Sequence, residues 1–292
     1  MKLTCAVIIP TYNRPSDLIR AIDSVYSQSR VADEVWVVND GEKHNGFDHL
    51  IKKYPTIKII HNPFSRGANF SRNLGAKLAA TDVLMFLDDD DWWASSKIDA
   101  QMSLFEKDPF LGLIYSGKNV VYDSIPKKVQ YKIHCQDYFN PYKEILMENF
   151  IGTTSSVAIK KEVFEQAGCF DESLPAMQDY DLWIRICKIS KVRYDQGFHV
   201  FYTVNKGTSK GQISKSGVNQ IKASDIIFDK YLEDFKRFEI NLSKRKGKFY
   251  FKIAKAIRNT SFRKALPWIL KSFFLAPSLK TLYLMISTEK PF

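Results

Sequence analysis

Cysteine is scarce in this chain and shows no pairing pattern: Cys5, Cys135, Cys169 and Cys187 are the four present, with no CxxC spacing. That argues against a disulfide framework or a zinc site, and for reduced, buried thiols in a cytoplasmic protein. Long apolar runs are missing too. The opening stretch Leu3–Pro10 is too short for a secretory signal. The most apolar long segment, Ala265–Ile286, carries Pro267, Lys271, Pro277 and Lys280, and each central Lys costs roughly 2.5–3.5 kcal/mol to insert into a bilayer. No repeat at solenoid or propeller period is present. Neither GxGxxG nor GxxxxGK[ST] occurs, so no glycine loop handles phosphate charge. Acid is nearly absent from residues 240–292, where Glu289 stands against 12 Lys or Arg, while residues 1–239 hold 31 of each sign. The net charge of +11 therefore belongs to a tail.

What is there first is alternation. Residues 1–122 read strand, helix, strand, the pattern of a mostly parallel sheet covered by helices. Strands are expected at Ala6–Ile9, Glu34–Val38, Ile57–Ile60, Val83–Leu87 and Leu111–Val121. Helices are expected after Pro15, near Phe70–Ala80 and over Ser95–Glu106. Residues 123–152 are less regular. A strand from Ser155 to Ile159, a helix from Lys161, a helix through Leu182–Ile189 and a strand over Val192–Val204 follow. Gly207, Gly211 and Gly217 mark a polar loop, and a helix is expected over Asp225–Phe238. The expected division is a catalytic domain over 1–217, with halves 1–122 and 123–217, and a basic helical region over 218–292.

In open α/β sheets, ligands bind beyond the carboxyl ends of the strands. Three polar clusters fall there: Pro10-Thr11-Tyr12-Asn13-Arg14, Asn39-Asp40-Gly41 and Asp88-Asp89-Asp90-Asp91. Four adjacent carboxylates raise one another's pKa unless a cation lies among them. This run is wedged between Val83–Leu87 and Trp92-Trp93, where simple solvation is a poor explanation. Hard oxygen ligands suit Mg2+ or Mn2+, which take one or two carboxylates plus substrate phosphates.

Val7-Ile8-Ile9-Pro10-Thr11-Tyr12-Asn13-Arg14, Val38-Asn39-Asp40-Gly41, Gly67 with Ser71-Arg72-Asn73, and Phe86-Leu87-Asp88-Asp89-Asp90-Asp91 resemble successive motifs of family-2 glycosyltransferases. The resemblance continues through Gly168-Cys169-Phe170-Asp171-Glu172 and Gln178-Asp179-Tyr180-Asp181-Leu182-Trp183, about residues 3–205. It implies an inverting enzyme of GT-A fold: an α/β, Rossmann-like mixed sheet with helices on both faces, here followed by the basic helical tail. It implies a nucleotide-diphospho-sugar donor, a UDP-hexose or UDP-N-acetylhexosamine, and Mn2+ or Mg2+. Pro10, Thr11, Tyr12 and Asp40 are expected to hold the nucleotide, with Arg14 and Arg72 on base or diphosphate. Asp88 and Asp90 match the outer acids of the DxD signature. Asp90 is the expected metal ligand with Asp88, and Asp88 or Asp89 reaches the ribose. Asp179 matches the general base, beside Gln178 where the family commonly has Glu. The QxxRW signature of processive members is absent, which fits transfer of a single sugar.

Plainer readings stand beside these. Asp179 also suits a helix N-cap, Asp40-Gly41 a turn, and Trp92 or Trp93 the core. Trp93, Gln178 and Trp183 are expected on the acceptor side. His199 and Asn205 lie near where the family brings a residue toward metal or diphosphate. In the tail, Phe249, Ile253, Ala256 and Ile257 share one helical face beside Lys248, Lys252, Lys255 and Arg258. That pattern suits an anionic membrane surface, on the inner face of the plasma membrane, or a helical hairpin packed on the catalytic body. The expected acceptor is a glycan, lipid-linked or in a lipopolysaccharide core. Nucleic acid is not an expected partner, because the basic groups alternate with bulky aliphatics and no binding motif appears. An inactive sugar-nucleotide binder is the alternative that Gln178 keeps open.

Overall fold

The computed structural model describes residues 2–12, 14–42, 46–204, 217–258 and 261–286. The chain divides into two compact units, Met1–Glu172 with Gln178–Ser209, and Ser173–Met177 with Lys210–Phe292.

The first unit opens with β1 (Cys5–Thr11), α1 (Pro15–Tyr26), β2 (Glu34–Asn39), α2 (Gly46–Lys53) and β3 (Lys58–His61). Next come α3 (Ala68–Leu78), β4 (Val83–Phe86), β5 (Trp92–Trp93), α4 (Lys97–Lys107), β6 (Leu111–Tyr115), β7 (Lys118–Tyr122) and β8 (Ile125–Ile133). It closes with α5 (Pro141–Met147), a 3-10 turn (Thr154–Ser156), β9 (Val157–Lys160), α6 (Lys161–Gln166), α7 (Gln178–Ile189), β10 (Lys191–Tyr194) and β11 (Val200–Val204). Seven strands form one sheet in the order β10-β6-β9-β4-β1-β2-β3, and β5-β11-β7-β8 form a second.

β1 is buried at all seven positions, as an unbroken apolar strand covered on both faces must be. It pairs in parallel with β2 and β4. The carboxyl ends of these three strands therefore emerge together. β9 runs antiparallel to β4, so the 3-10 turn that precedes it arrives at the same edge. α3 lies directly on β1, because a Cβ on Gly75 would sit 2.6 Å from Ile8 Cγ2.

The single strands expected over 111–121 and 192–204 are each two strands, in different sheets. The two breaks meet: Gly117 N–H donates to the Gly197 carbonyl at 2.9 Å, and the Ser116 hydroxyl donates to Asp195. The irregular stretch 123–152 contains β8 and α5. α2 is unforeseen in the sequence, where only Phe47 and Leu50 mark its buried side. Of the four thiols, all free, Cys5 and Cys187 are buried and Cys135 and Cys169 only half so.

In the second unit, α8 (Gly217–Lys230) and α9 (Leu232–Arg237) precede α10 (Leu242–Arg258), α11 (Phe262–Leu275) and α12 (Leu279–Ile286). α10 and α11 run antiparallel, with the Ser272 hydroxyl donating to the Gly247 carbonyl at 2.9 Å and Ala254, Ala265, Ile269 and Leu284 forming a small core. Gly207, Gly211 and Asn205 lie outside the described residues.

Gly75→Ala forces a methyl into the α3–β1 contact and is expected to lower unfolding free energy by about 1–3 kcal/mol. Urea denaturation checks this, and an unchanged midpoint would show that α3 has room to spare.

Candidate active site

The four carboxylates after β4 have four different surroundings. Asp91 N–H donates to the Asp88 carbonyl at 3.0 Å, closing a turn. Asp91 itself is 1% exposed. One carboxyl oxygen accepts from Ser155 Oγ at 2.6 Å and the other from Thr203 N–H at 2.9 Å. Burial raises its pKa well above the usual carboxylate range. Asp89 is also buried and accepts from Thr11 Oγ1 at 2.8 Å and Arg14 Nη1 at 3.2 Å. Burial pushes its pKa up to about 7, against the pull of Arg14. These two acids brace the turn.

Asp88 and Asp90 are only half-buried, their side chains 30% and 18% exposed. Asp88 takes Arg72 Nη2 at 2.5 Å and the Thr154 hydroxyl at 3.1 Å. Asp90 Oδ2 takes Arg14 Nη1 at 3.1 Å. The Asp90 carbonyl accepts from Arg20 Nη2 at 2.7 Å and from the Thr203 hydroxyl. Burial and the charge of Asp88 raise the pKa of Asp90. Two carboxylates that repel each other fit a divalent cation. Among the described residues no group of three or more His, Cys, Asp or Glu converges, so such a cation would take further oxygens from a phosphate ligand.

Asp40, expected on the nucleotide, is 4% exposed and already has four donors. They are Asn62 Nδ2, Ser65 Oγ, and the N–H groups of Arg66 and Gly67, at 2.7–3.1 Å. A carboxylate offers about four acceptor positions, so Asp40 here organises the 62–67 loop. Pro10 is buried inside β1 opposite Val38, and Thr11 is committed to Asp89. Tyr12, 55% exposed, keeps its ring available. Arg72 is largely enclosed, stands 5.6 Å from the Phe170 ring centre, and has a buried Nε without a partner.

Asp179 lies within the first turn of α7, and Tyr180 N–H donates to it at 2.7 Å. Burial raises its pKa, while Arg72 and Lys118 lower it and Asp88 raises it. The structure thus brings Asp179 into the electrostatic neighbourhood of the acid turn. Gln178 precedes it in the same turn. The two tryptophans expected beside the acceptor are not brought there. Trp93 is 3% exposed and donates to the Ser155 carbonyl, because the pairing of β5 with β11 turns it inward. Trp183 is fully buried on the core face of α7, its indole donating to the Gly152 carbonyl at 2.8 Å. Trp92 is sandwiched between Phe201 and Arg20. His199 pairs with Ser96 rather than with the acids.

Four contributors escape sequence reasoning: Thr154, Ser155, Tyr202 and Lys118. The Tyr202 hydroxyl is raised in pKa by burial and by Asp91, Asp90, Asp88 and Asp179. Lys118 is 6% exposed. A lone charge in the apolar run 111–121 is the signal that marks it.

A family model described as glycosyl transferase family 2 matches residues 6–168. Over 275 residues the chain is 28% identical to an uncharacterized glycosyltransferase of Haemophilus influenzae, covering 87% of this chain and 91% of that protein. It is 30% identical over 204 residues to the amylovoran biosynthesis glycosyltransferase AmsB of Erwinia amylovora, 64% of this chain and 65% of that one. It spans 39% of a longer glycosyltransferase of Rickettsia felis at 27% identity, covering 80% of this chain. Among solved structures it is similar to S. aureus TarS 1–349 in complex with UDP, with a TM-score of 0.57, 13% identity and coverage of 96% and 91%. It is also similar to the mannosyltransferase PcManGT from Pyrobaculum calidifontis in complex with GDP-Man and Mn2+, with a TM-score of 0.60, 19% identity and coverage of 98% and 79%. These likenesses bear out the GT-A fold.

The roles of the acids separate by stability. Asp91→Ala strands the Ser155 hydroxyl and the Thr203 N–H and is expected to cost about 2–4 kcal/mol. Asp90→Ala is expected to cost under about 1 kcal/mol. Urea titration of both variants checks the order, and equal losses would remove the distinction.

Proposed function

This chain belongs to glycosyl transferase family 2, and on that premise we propose that it moves one sugar from a nucleotide-diphospho-sugar to a glycan acceptor, with inversion at the anomeric carbon. The observation that carries the reading is the acid turn after β4, where Asp88 is hydrogen-bonded to Arg72 and both charges act on Asp179. The acceptor hydroxyl oxygen bonds to the anomeric carbon as its proton passes to Asp179. The bond from that carbon to the phosphate oxygen breaks, and its electron pair leaves with the nucleoside diphosphate. Attack and departure on opposite faces in one displacement invert the centre.

Asp88 and Asp90 would hold Mg2+ or Mn2+, whose chemistry when bound is to offset charge on the departing diphosphate. Arg72, charged and largely enclosed, adds to that offset. The exposed ring of Tyr12 supplies a face for the base. The complex of TarS with UDP favours a uridine donor and that of PcManGT with GDP-Man its rival, and calorimetry against UDP, GDP and CDP sugars decides between them. The name of AmsB supports an acceptor in surface-polysaccharide synthesis.

The second unit favours an anionic membrane surface, where a lipid-linked acceptor would be met. α10, α11 and α12 hold eleven Lys or Arg and no acid. On α11 the exposed Phe262, Leu266, Leu270 and Phe274 recur every fourth residue, beside the buried Ala265 and Ile269. Among the described residues no helix is long and apolar enough to cross a membrane, so the apolar row would lie in the lipid surface with the basic groups on the headgroups. Each basic group near that surface contributes about 1 kcal/mol.

Asp90→Ala and Asp179→Asn are each expected to lower kcat by about 10²–10⁴-fold at unchanged melting temperature. Turnover at the wild-type rate in either variant would overturn that residue's role. Donor hydrolysis with Mn2+ separates an enzyme from an inactive sugar-nucleotide binder. For the membrane, the full chain is expected to sediment with phosphatidylglycerol vesicles and not with phosphatidylcholine alone. Leu270→Glu with Phe274→Glu is expected to abolish this. Unchanged vesicle binding, or a concentration-dependent dimer broken by the same changes, would reject the surface as a lipid contact.

A further inference from the structure

Lys118 opens β7, where its backbone pairs with β8 on one side and β11 on the other. Its side chain is buried, yet its ammonium has no hydrogen bond to any described residue. The ammonium ends against Gly152, where a Cβ would lie 2.0 Å from Nζ. Gly152 has φ of +88°, a conformation that favours glycine for its own sake. Its N–H donates to Asn149 Oδ1 at 2.9 Å and its carbonyl accepts from Trp183 Nε1. Trp183 stands one helical turn after Asp179 on α7. The ammonium is thus seated at the loop that ties down the start of the helix carrying Asp179.

Burial lowers the pKa of Lys118, against the charges of Asp179 and Asp91. Those acting on Asp179 are Arg72 from α3, Asp88 from the acid turn and Lys118 from β7. Arg72 is hydrogen-bonded to Asp88, whereas among the described residues no carboxylate is hydrogen-bonded to Lys118. The β-pairing on both sides uses only the backbone, so an apolar side chain of similar length would serve the fold as well. Beside Asp179 the sequence offers Gln178, which brings no charge.

We propose that Lys118 is the positioning residue for Asp179: its ammonium, seated on Gly152, fixes the loop that anchors Trp183 and with it the turn of α7 that presents the Asp179 carboxylate to the acceptor hydroxyl. This rests on Asp179 being the base.

Steady-state transfer is measured for Lys118→Met, Lys118→Arg, Asp179→Asn and the Lys118→Met/Asp179→Asn double variant of the full chain. Lys118→Met is expected to lose about 10–100-fold in kcat with donor KM within about threefold of wild type. Lys118→Arg is expected to recover most of the loss. In the Asp179→Asn background, Lys118→Met is expected to cost nothing further, because residues that act as a unit are not additive. Wild-type kcat in Lys118→Met, an equal loss in Lys118→Arg, or multiplying losses in the double variant would each overturn the proposal. If Lys118→Met does not fold, Lys118→Gln carries the same comparison. Wild-type turnover in Asp179→Asn would remove the base itself, whereas an inactive Asp179→Asn with additive losses removes Lys118 alone.

Discussion

Carboxylate repulsion at the end of β4 is the constraint around which the rest of the first unit is arranged. Asp88 to Asp91 stand in one tight turn at the edge of a buried sheet, where solvent cannot screen them well. Arg14 and Arg72 reach in from the segments after β1 and β3, Arg20 braces the backbone, and Thr11, Thr154, Ser155 and Thr203 supply neutral donors. Each comes from a different stretch of chain. The topology that brings β1, β2, β4 and the 3-10 turn to a common edge is what lets them meet.

Much of this is legible in the sequence. The continuous apolar run of β1, its stop at a polar cluster and the acid run after Leu87 locate the sheet and the edge that matters, because strand burial and strand ends leave direct marks on composition. What a sequence cannot display is which lone pairs are already taken. Asp40 looks free to meet a nucleotide until the loop 62–67 is seen folded around it. Trp93 and Trp183 look like walls until strand pairing and helix phase turn them inward. In the acid run, spacing alone leaves all four residues equivalent, and only burial divides bracing acids from half-buried ones.

Lys118 illustrates the opposite failure. Its local sequence says core strand, and the strand is there. Its meaning depends on Gly152 and on α7, both more than thirty residues away, and no periodicity encodes that meeting. The same holds for the breaks at Ser116-Gly117 and Asp195–Gly197, each unremarkable by itself and intelligible only because they touch.

The hydrogen bonds of Asp91 also have a history in time. They join positions 64 and 112 residues apart along the chain. Contacts of such separation close late, since loop entropy must be overcome before they are rewarded. During synthesis the acid turn therefore stays incompletely braced until β11 has left the ribosome, although every acid in it was made more than a hundred residues earlier. A nascent or shortened chain ending before Thr203 carries the whole acid sequence and lacks the site.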